Sequence, residues 1–381
     1  MSSKIEFVEK ATKPRANVSA LCREYGISRQ TGHKLLKRFK RRGYEGLEEE
    51  SRRPKTTPLA TAEDVIAAVL AVRRRHPRWG AKKLMVVLRR SLGEATPSVR
   101  TVHRLLKRFG RIKPRRQKPT LSIVESAPKV VAKKPNDVWT IDFKGWWRTG
   151  DGNRVNPLTV RDAHSRFVLA LELVERSTGE LVKDVMSRLF RRYGLPSAIQ
   201  CDNGSPFISS QSMGGLTKLS AWWVSLGIKV VRSRPGAPQD NGAHERMHVD
   251  IAGDLESDPE DTVDAQIRAC RRWRQVFNQV RPHEALGQRT PAEVYKQSTR
   301  KYAVQRALFP LEWLKRKVCV NGNVRIAGDD VFISTALNGY TVALEPCRGR
   351  GLLHRVWFYG MQIGEVEVAG VPADRLHRLA G

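Results

Sequence analysis

The sequence is poor in cysteine and has no long hydrophobic run. Its five cysteines are scattered over 381 residues without a Cys-x-x-Cys pair, which excludes a cysteine-based zinc ribbon and gives no sign of a disulfide framework. The longest aliphatic stretch, residues 65–72, is far too short to span a bilayer, and residues 1–10 show no signal peptide. These absences predict a protein of the reducing cytoplasm without a membrane partner.

Positive charge, by contrast, is in large excess. The net charge is +31 at pH 7, and residues 1–135 hold 35 Lys and Arg against 11 Asp and Glu. That segment carries +24 and leaves +7 for residues 136–381. Because self-repulsion works against a compact fold, the excess indicates a polyanionic partner. With a membrane disfavoured, we expect the first third to bind the phosphate backbone of a nucleic acid.

Three helices are predicted in residues 1–50. Two of them are placed at residues 17–25 and 28–42, with Gly26 ending the first of this pair and Ser28 capping the second. A helix, a short glycine-containing turn and a basic helix are typical of the helix-turn-helix, whose second helix enters the major groove of double-stranded DNA. Predicted helices over residues 62–75, 81–90 and 97–109 repeat the pattern. The alternative for each unit is a small helical bundle that does not touch DNA.

Polar and basic positions of these units are the candidate DNA contacts. They are Ser28, Arg29, Gln30, His33, Lys34, Lys37, Arg38, Arg52, Arg53, Arg100, Arg104 and Lys107. Arg52 and Arg53 belong to a basic, proline-containing stretch over residues 51–55, and residues 111–135 form a second one. Both lack periodicity and are interpreted as extended linkers that either follow a phosphate backbone or only space domains.

The remainder of the chain has an α/β pattern followed by a β pattern. Strands are predicted over 138–143, 155–162, 166–173, 197–202 and 228–231, and helices over 180–193, 216–226, 240–255 and 262–278. Beyond residue 310, alternation predicts a small β domain with a hairpin around Gly360.

Three acidic residues stand out in the α/β region. Asp142 lies in mid-strand among apolar neighbours, Asp202 ends a strand, and Glu245 lies in a helix that follows a turn-rich loop. Asp142 taken alone is more often structural, but burial of its carboxylate requires a partner. If the three converge, they can hold two Mg²⁺ ions, which prefer oxygen ligands and can drive an in-line displacement at phosphorus.

The motifs WTIDFKG, IQCDNGSPF, RPGAPQDNGAHERMH and VRPHEALGQRTPAEVY resemble the catalytic core of DDE transposases of bacterial insertion sequences, which share the retroviral-integrase fold. The resemblance covers about residues 130–300. It implies a ribonuclease-H-like core with Asp142, Asp202 and Glu245 as catalytic metal ligands for two Mg²⁺ ions, for which Mn²⁺ can substitute. The 42 residues between Asp202 and Glu245 exceed the roughly 35 typical of this family, and we assign the excess to a surface insertion over residues 207–219.

Other residues near the motifs have simpler interpretations. His244 and His248 flank Glu245 and are either solvated or packed, or contact DNA or metal. Asp240 is expected to cap a helix, Asp162 to be structural, and the Arg281-Pro282-His283 string to act as a structural clasp.

Together these features predict a multidomain protein with N-terminal all-α helix-turn-helix units, a central α/β ribonuclease-H-like core and a C-terminal small β domain. The predicted boundaries are residues 1–55 and 56–112 for the two helical domains, 113–135 for a linker, 136–300 for the core and 310–381 for the β domain.

The leading functional hypothesis is a transposase that binds terminal repeats and target DNA as a homo-oligomer in the bacterial cytoplasm, associated with the nucleoid. The alternatives are a DNA-binding repressor without catalysis and a ribonuclease-H-type nuclease. Strand joining separates the first hypothesis from both.

Overall fold

The computed structural model describes residues 2–49, 60–112, 131–233, 242–326, 328–347 and 353–368. The chain divides into two compact units, residues 1–62 and 63–381. The predicted DNA contacts Arg52 and Arg53, and the acid Asp240, lie outside the described residues.

The first unit contains three short helices around a small core. They are α1 (Ser2–Ala11), α2 (Val18–Glu24) and α3 (Arg29–Arg42). Ser28 caps α3, because its side chain accepts a hydrogen bond from the backbone N–H of Thr31. Gly32 permits close packing in this unit, since a Cβ there would lie 2.5 Å from Sγ of Cys22. The three helices predicted for residues 1–50, including the pair around Gly26, are confirmed as α1, α2 and α3.

The second unit contains the remaining elements. Its helices are α4 (Glu63–Arg75), α5 (Ala81–Leu92), α6 (Val99–Arg108), α7 (Gly179–Tyr193), α8 (Lys218–Ser225), α9 (Gly242–Ile251), α10 (Val263–Gln279) and α11 (Pro291–Val294). Its strands are β1 (Val138–Phe143), β2 (Trp147–Arg148), β3 (Arg154–Asp162), β4 (Val168–Val174), β5 (Ala198–Cys201), β6 (Lys229–Arg232), β7 (Leu314–Lys317), β8 (Asn323–Ile326), β9 (Asp329–Phe332), β10 (Thr341–Pro346), β11 (Leu353–Phe358) and β12 (Met361–Glu367).

Strand β1 is the centre of the mixed sheet that carries the candidate site. It pairs antiparallel with β3 and parallel with β5, while β4 extends the sheet beyond β3 and β6 extends it beyond β5. The apolar positions of these strands are buried because α7 and α8 pack on the sheet with side chains such as Phe190 and Trp223. The predicted α/β order of elements is confirmed, and the structure adds that β5 and β6 join the sheet in parallel.

Helices α4, α5 and α6 share a hydrophobic core with α10. Leu84, Leu88 and Val102 form its buried centre, and Val276 of α10 and Val280 directly after α10 pack against it. Ion pairs add to this packing: Arg78 Nε lies 3.2 Å from Asp254, and Lys82 Nζ lies 2.6 Å from Glu284. The three helices are therefore joined to the helix that follows α9.

The C-terminal region forms a four-stranded sheet, β12-β11-β10-β7, and a two-stranded β8-β9 sheet. Its core includes Leu216, Ala221 and Val224 from the start and body of the α8 region. The prediction that residues 207–219 form a surface insertion is wrong: Phe207 is buried in the core of the mixed sheet, and Met213 packs against the C-terminal sheet. The stretch connects two cores.

Truncation of a buried leucine on α7 tests this description. We expect Leu189→Ala to lower the free energy of unfolding by about 2–5 kcal/mol, because it leaves a cavity against the sheet. The matched control is Leu181→Ala on the same helix, where the side chain is 38% exposed and the expected cost is below about 0.5 kcal/mol. All nine tryptophans follow residue 78, so their fluorescence in urea reports the second unit. Equal losses in both variants would contradict the packing.

Candidate metal centre and nucleic-acid surface

Two of the predicted acids lie side by side because their strands are parallel neighbours. Strands β1 and β5 pair with Thr140 opposite Gln200, so Asp142 and Asp202, each two positions further on, follow the same register. Asp142 keeps 22% of its side chain exposed, and Asp202 is exposed where β5 ends. The pair forms one edge of the candidate metal centre.

Helix α9 brings the third acid to this edge. Glu245 lies in its first turn, and that turn is held against β3 by the Arg161 guanidinium, which donates to the carbonyl of Ala243 at 2.6 Å. The neighbouring His244 is fully buried beneath the helix. Glu245 itself is exposed and faces the same region, since its charge acts on Asp142.

The electrostatics at this edge favour the binding of a cation. Burial, with smaller contributions from the charges of Asp202 and Glu245, raises the pKa of Asp142 to about 7. Crowded carboxylates disfavour their own ionisation, and a divalent cation bound among them reverses that effect. The three side chains therefore suit a hard cation with oxygen ligands.

A hydrogen-bonded network beneath α9 determines which nitrogen atoms are free. The Thr159 hydroxyl donates to the carbonyl of Asp142 at 2.9 Å, so its single proton is used. It must then accept from Nε2 of His244 at 2.6 Å and from Nε2 of His248 at 2.8 Å. Nδ1 of His244 is bonded to the Thr140 hydroxyl at 2.6 Å.

Only one of the two histidines can therefore serve a metal. His244, His248 and Asp142 have ligand atoms within 4.8 Å of one another, but both ring nitrogens of His244 are occupied by threonines. Nδ1 of His248 carries a free lone pair and lies 4.0 Å from Oδ2 of Asp142. Burial lowers the pKa of His248 to about 4, helped by Lys144 and Arg161, so its ring is neutral at pH 7. His248 is a possible fourth ligand, and His244 is structural.

Other sequence interpretations near the site are also resolved. Asp162 is structural, because it is fully buried and accepts from the backbone of Asn136 and from Ser165. Arg281 forms a buried ion pair with Asp250 of α9 at 2.6 Å, which agrees with the predicted clasp.

Most predicted DNA contacts within the described residues lie on the protein surface. The exposed ones are Ser28, Arg29, Gln30, His33, Lys34, Lys37, Arg100, Arg104 and Lys107. Arg38 is partly buried and donates to the backbone carbonyl of Glu48, so its guanidinium supports the fold of the first unit.

The supporting residues Thr140, Thr159 and Arg161 were not predicted. A threonine in a strand resembles the β-branched residues that fill sheets, so its type alone gives no signal. An arginine next to the apolar positions Leu158 and Val160 of a strand was the one available clue, because a buried cation requires a specific partner.

Family models match both the central α/β core and the N-terminal helical region of the chain. Models described as integrase core domains match residues 132–238 and 226–291. A helix-turn-helix domain model matches residues 3–55, and a homeodomain-like domain model matches residues 31–106. The chain therefore carries an integrase core domain behind helix-turn-helix domains, and the predicted multidomain fold class is confirmed.

Relatives come from bacterial insertion elements. An uncharacterized 39.2 kDa protein of insertion element IS476 from Xanthomonas euvesicatoria is 26% identical over 251 residues, covering 65% of this chain and 69% of that protein. An uncharacterized 31.7 kDa protein of insertion element IS407 from Burkholderia multivorans is 26% identical over 232 residues, covering 61% and 80%. The resemblance to insertion-sequence transposases with an integrase-like core is thus confirmed.

Comparison with solved structures finds two retroviral catalytic cores among the matches. The HTLV-2 integrase catalytic core in complex with magnesium is 17% identical and covers 44% of this chain and all of its own, with a TM-score of 0.32. The BIV integrase catalytic core is 23% identical and covers 42% and 93%, with a TM-score of 0.32. Across the described helices, none is long and apolar enough to cross a membrane.

The raised pKa of Asp142 predicts a pH-dependent effect in metal-free protein. Its unfolded pKa is near 4, so the carboxyl stabilises the fold at low pH, and that contribution is lost as pH rises through about 7. Asp142→Asn should therefore be stabilising in EDTA at pH 8, by on the order of 2–4 kcal/mol, and nearly neutral at pH 4.

The measurement is urea unfolding at both pH values, with the exposed Asp184→Asn on α7 as control. Added Mg²⁺ should stabilise the wild type at pH 8 and leave Asp142→Asn almost unchanged. A variant that is equally stable or less stable than the wild type at pH 8 would contradict the crowding of the three acids.

Proposed function

We propose that this protein is a DNA transposase: it binds the ends of its element, cuts the phosphodiester there and joins the freed 3′-OH to target DNA. The observation that carries the proposal is the convergence of Asp142, Asp202 and Glu245 from two parallel strands and one helix. Burial and the charges of Asp202 and Glu245 disfavour the ionised form of Asp142, and a divalent cation bound among the three would offset that cost.

The proposed ligands are Asp142, Asp202 and Glu245, with His248 beside them. When bound, two Mg²⁺ or Mn²⁺ ions would activate the attacking oxygen and stabilise the leaving one.

The chemistry balances without an energy source. In the first step water attacks phosphorus, one P–O bond forms, and the P–O bond to the 3′ oxygen breaks. In the second step that 3′-OH attacks a target phosphodiester, so one P–O bond replaces another. No covalent bond to the protein is required, and the described residues at the site act by holding and orienting the reacting groups.

The helical units would supply the specificity for DNA. The N-terminal residues of α3 (Arg29, Gln30 and His33) are exposed and follow the cap at Ser28, which is where a recognition helix contacts base edges. We further propose that residues 1–55 and 56–112 act as separate end-binding modules, that the active form is a homo-oligomer holding two ends, and that it works in the cytoplasm near the nucleoid.

A strand-transfer assay tests the function directly. Labelled duplex from the ends of the element, plasmid target and Mg²⁺ or Mn²⁺ are incubated with wild type, Asp202→Asn, Glu245→Gln and the control Asp184→Asn. We expect metal-dependent joined product from wild type and control, and a loss of at least about 10³-fold in the two site variants. Binding without cutting or joining would favour the repressor hypothesis, and cutting without joining would favour a nuclease.

Two substitutions on α3 distinguish contacts to DNA bases from contacts to the DNA phosphate backbone. Gln30→Ala should weaken binding to the element's end by about 1–3 kcal/mol while leaving a scrambled duplex unaffected. Lys37→Ala should weaken both equally and reduce the slope of log affinity against log salt by about one. Fluorescence anisotropy at several KCl concentrations distinguishes the two, and identical behaviour of both variants on both duplexes would contradict a recognition role for α3.

A further inference from the structure

A second charged site lies beside α9, and Glu245 is not among the residues that line it. It is a pocket of about 440 Å³ between α5, β3, α9 and the segment after α10. Five cations line it: Lys83, Arg161, Arg166, Arg246 and Arg281. His283 also lines the pocket, but burial and the nearby cations lower its pKa to about 3, so its ring is neutral at pH 7. We call it the cationic pocket.

Carboxylates balance only part of this charge. Asp250 lies 2.6 Å from Arg281 and 3.6 Å from Arg246, and the exposed Glu284 is paired with Lys82 at 2.6 Å. Among the described residues, no carboxylate lies within 4.0 Å of the cationic groups of Lys83, Arg161 or Arg166. The pocket therefore holds more positive charge than its own acids neutralise.

Burial makes this imbalance costly. Arg161 is 4% exposed, and burial together with the neighbouring Arg166 lowers its pKa to about 10. Burial and the charge of Arg281 lower the pKa of Lys83 to about 8. Arg166 adopts a left-handed backbone conformation with φ of 62°, which is unfavourable for a side chain other than glycine. Desolvated cations gathered in this way are stabilised by an anion.

The hydrogen bonding of the lining is also incomplete. Nε of Arg161, Nε of Arg281 and Nε2 of His283 are buried, and none has a hydrogen-bond partner within the described part of the chain. Arg246 stands at the open side with 69% of its side chain exposed. Guanidinium groups present paired donors that match phosphate oxygens, so the chemistry of the lining fits a phosphate group.

We propose that the cationic pocket binds a backbone phosphate of the DNA whose neighbouring phosphodiester reacts at the carboxylates. This inference rests on the proposed function. Its geometric basis is α9: Arg246 directly follows Glu245, and Arg161 holds the turn that carries both by bonding Ala243. Lys83 comes from α5 of the second helical unit, so a strand bound in the pocket would contact that unit and the catalytic helix together.

The test removes one cation at a time from the full-length protein. Arg166→Gln and Lys83→Gln are compared with Arg176→Gln and Lys229→Gln, two exposed positions outside the pocket. The affinity for duplex from the element's end is measured at several KCl concentrations, and the melting temperature is measured with sodium sulfate against NaCl at equal ionic strength.

We expect each pocket variant to bind DNA about 3- to 30-fold more weakly near 0.1 M salt, to reduce the salt slope by about one, and to lose part of the stabilisation by sulfate. The controls should change none of these by more than about twofold. Pocket variants that match the controls in DNA affinity and slope would overturn the proposal. Loss of the sulfate effect alone would mean a small-anion site and would overturn it as well.

If the proposed transposase function is wrong, the strand-transfer and DNA-binding measurements give a different combination of results. A wild type that never joins strands, while its pocket variants still lose DNA affinity, would remove the transposase assignment and leave the pocket as a phosphate site. Urea unfolding of each variant checks that the fold is intact.

Discussion

Helix α9 lies across the central strands because a buried histidine ties it to them. His244 has both ring nitrogens bonded to threonines of two adjacent strands, Thr140 on β1 and Thr159 on β3. Burial lowers its pKa well below the ordinary value, so the ring stays neutral and each nitrogen keeps one defined role. The position of Glu245, the free nitrogen of His248 and the wall of the cationic pocket all follow from where this helix is held.

Two groups of like charge lie beside that helix. Burial and the charges of Asp202 and Glu245 disfavour the ionised form of Asp142, and the cations of the pocket outnumber the acids that pair with them. Each group would be poorly stable alone, as strained functional sites generally are. Metal ions at the acids and a phosphate chain at the cations would relieve both at once, which makes a nucleic acid with bound cations the natural complement of the whole helix.

The candidate acids could be picked out from the sequence because the residues around Asp142 and Asp202 identify the strands that carry them. Asp142 sits in an apolar strand and Asp202 ends one, so pattern and topology together place them at one edge. The threonine–histidine network was out of reach, because a buried threonine looks like ordinary strand filling and its partner lies 104 positions away. The cationic pocket combines residues from 83 to 283, and no local pattern connects them.

Contacts with residues distant in the chain also explain why residues 207–219 were wrongly predicted to form a surface insertion. Residues 207–219 are rich in serine and glycine and were predicted to be exposed, yet Phe207, Leu216 and Leu219 are buried and Met213 packs against the C-terminal sheet. That sheet begins only at residue 314, and Gly364 of β12 lies so close to Met213 that a Cβ there would be 2.7 Å from Cγ. Small residues in this case mark close packing, which composition alone does not distinguish from a surface loop.

The shared core of α4–α6 and α10 has a consequence for how a bound DNA end would be measured. Arg78 packs directly over Gly253, just beyond α9, so closely that a Cβ at Gly253 would clash with its guanidinium. If the protein is a transposase and α4–α6 contact the DNA, this packing fixes the distance between the bound bases and the catalytic site. The number of base pairs between the bound bases and the bond that is cut would be set by protein packing, and an element whose end gained or lost one base pair would present the wrong phosphodiester.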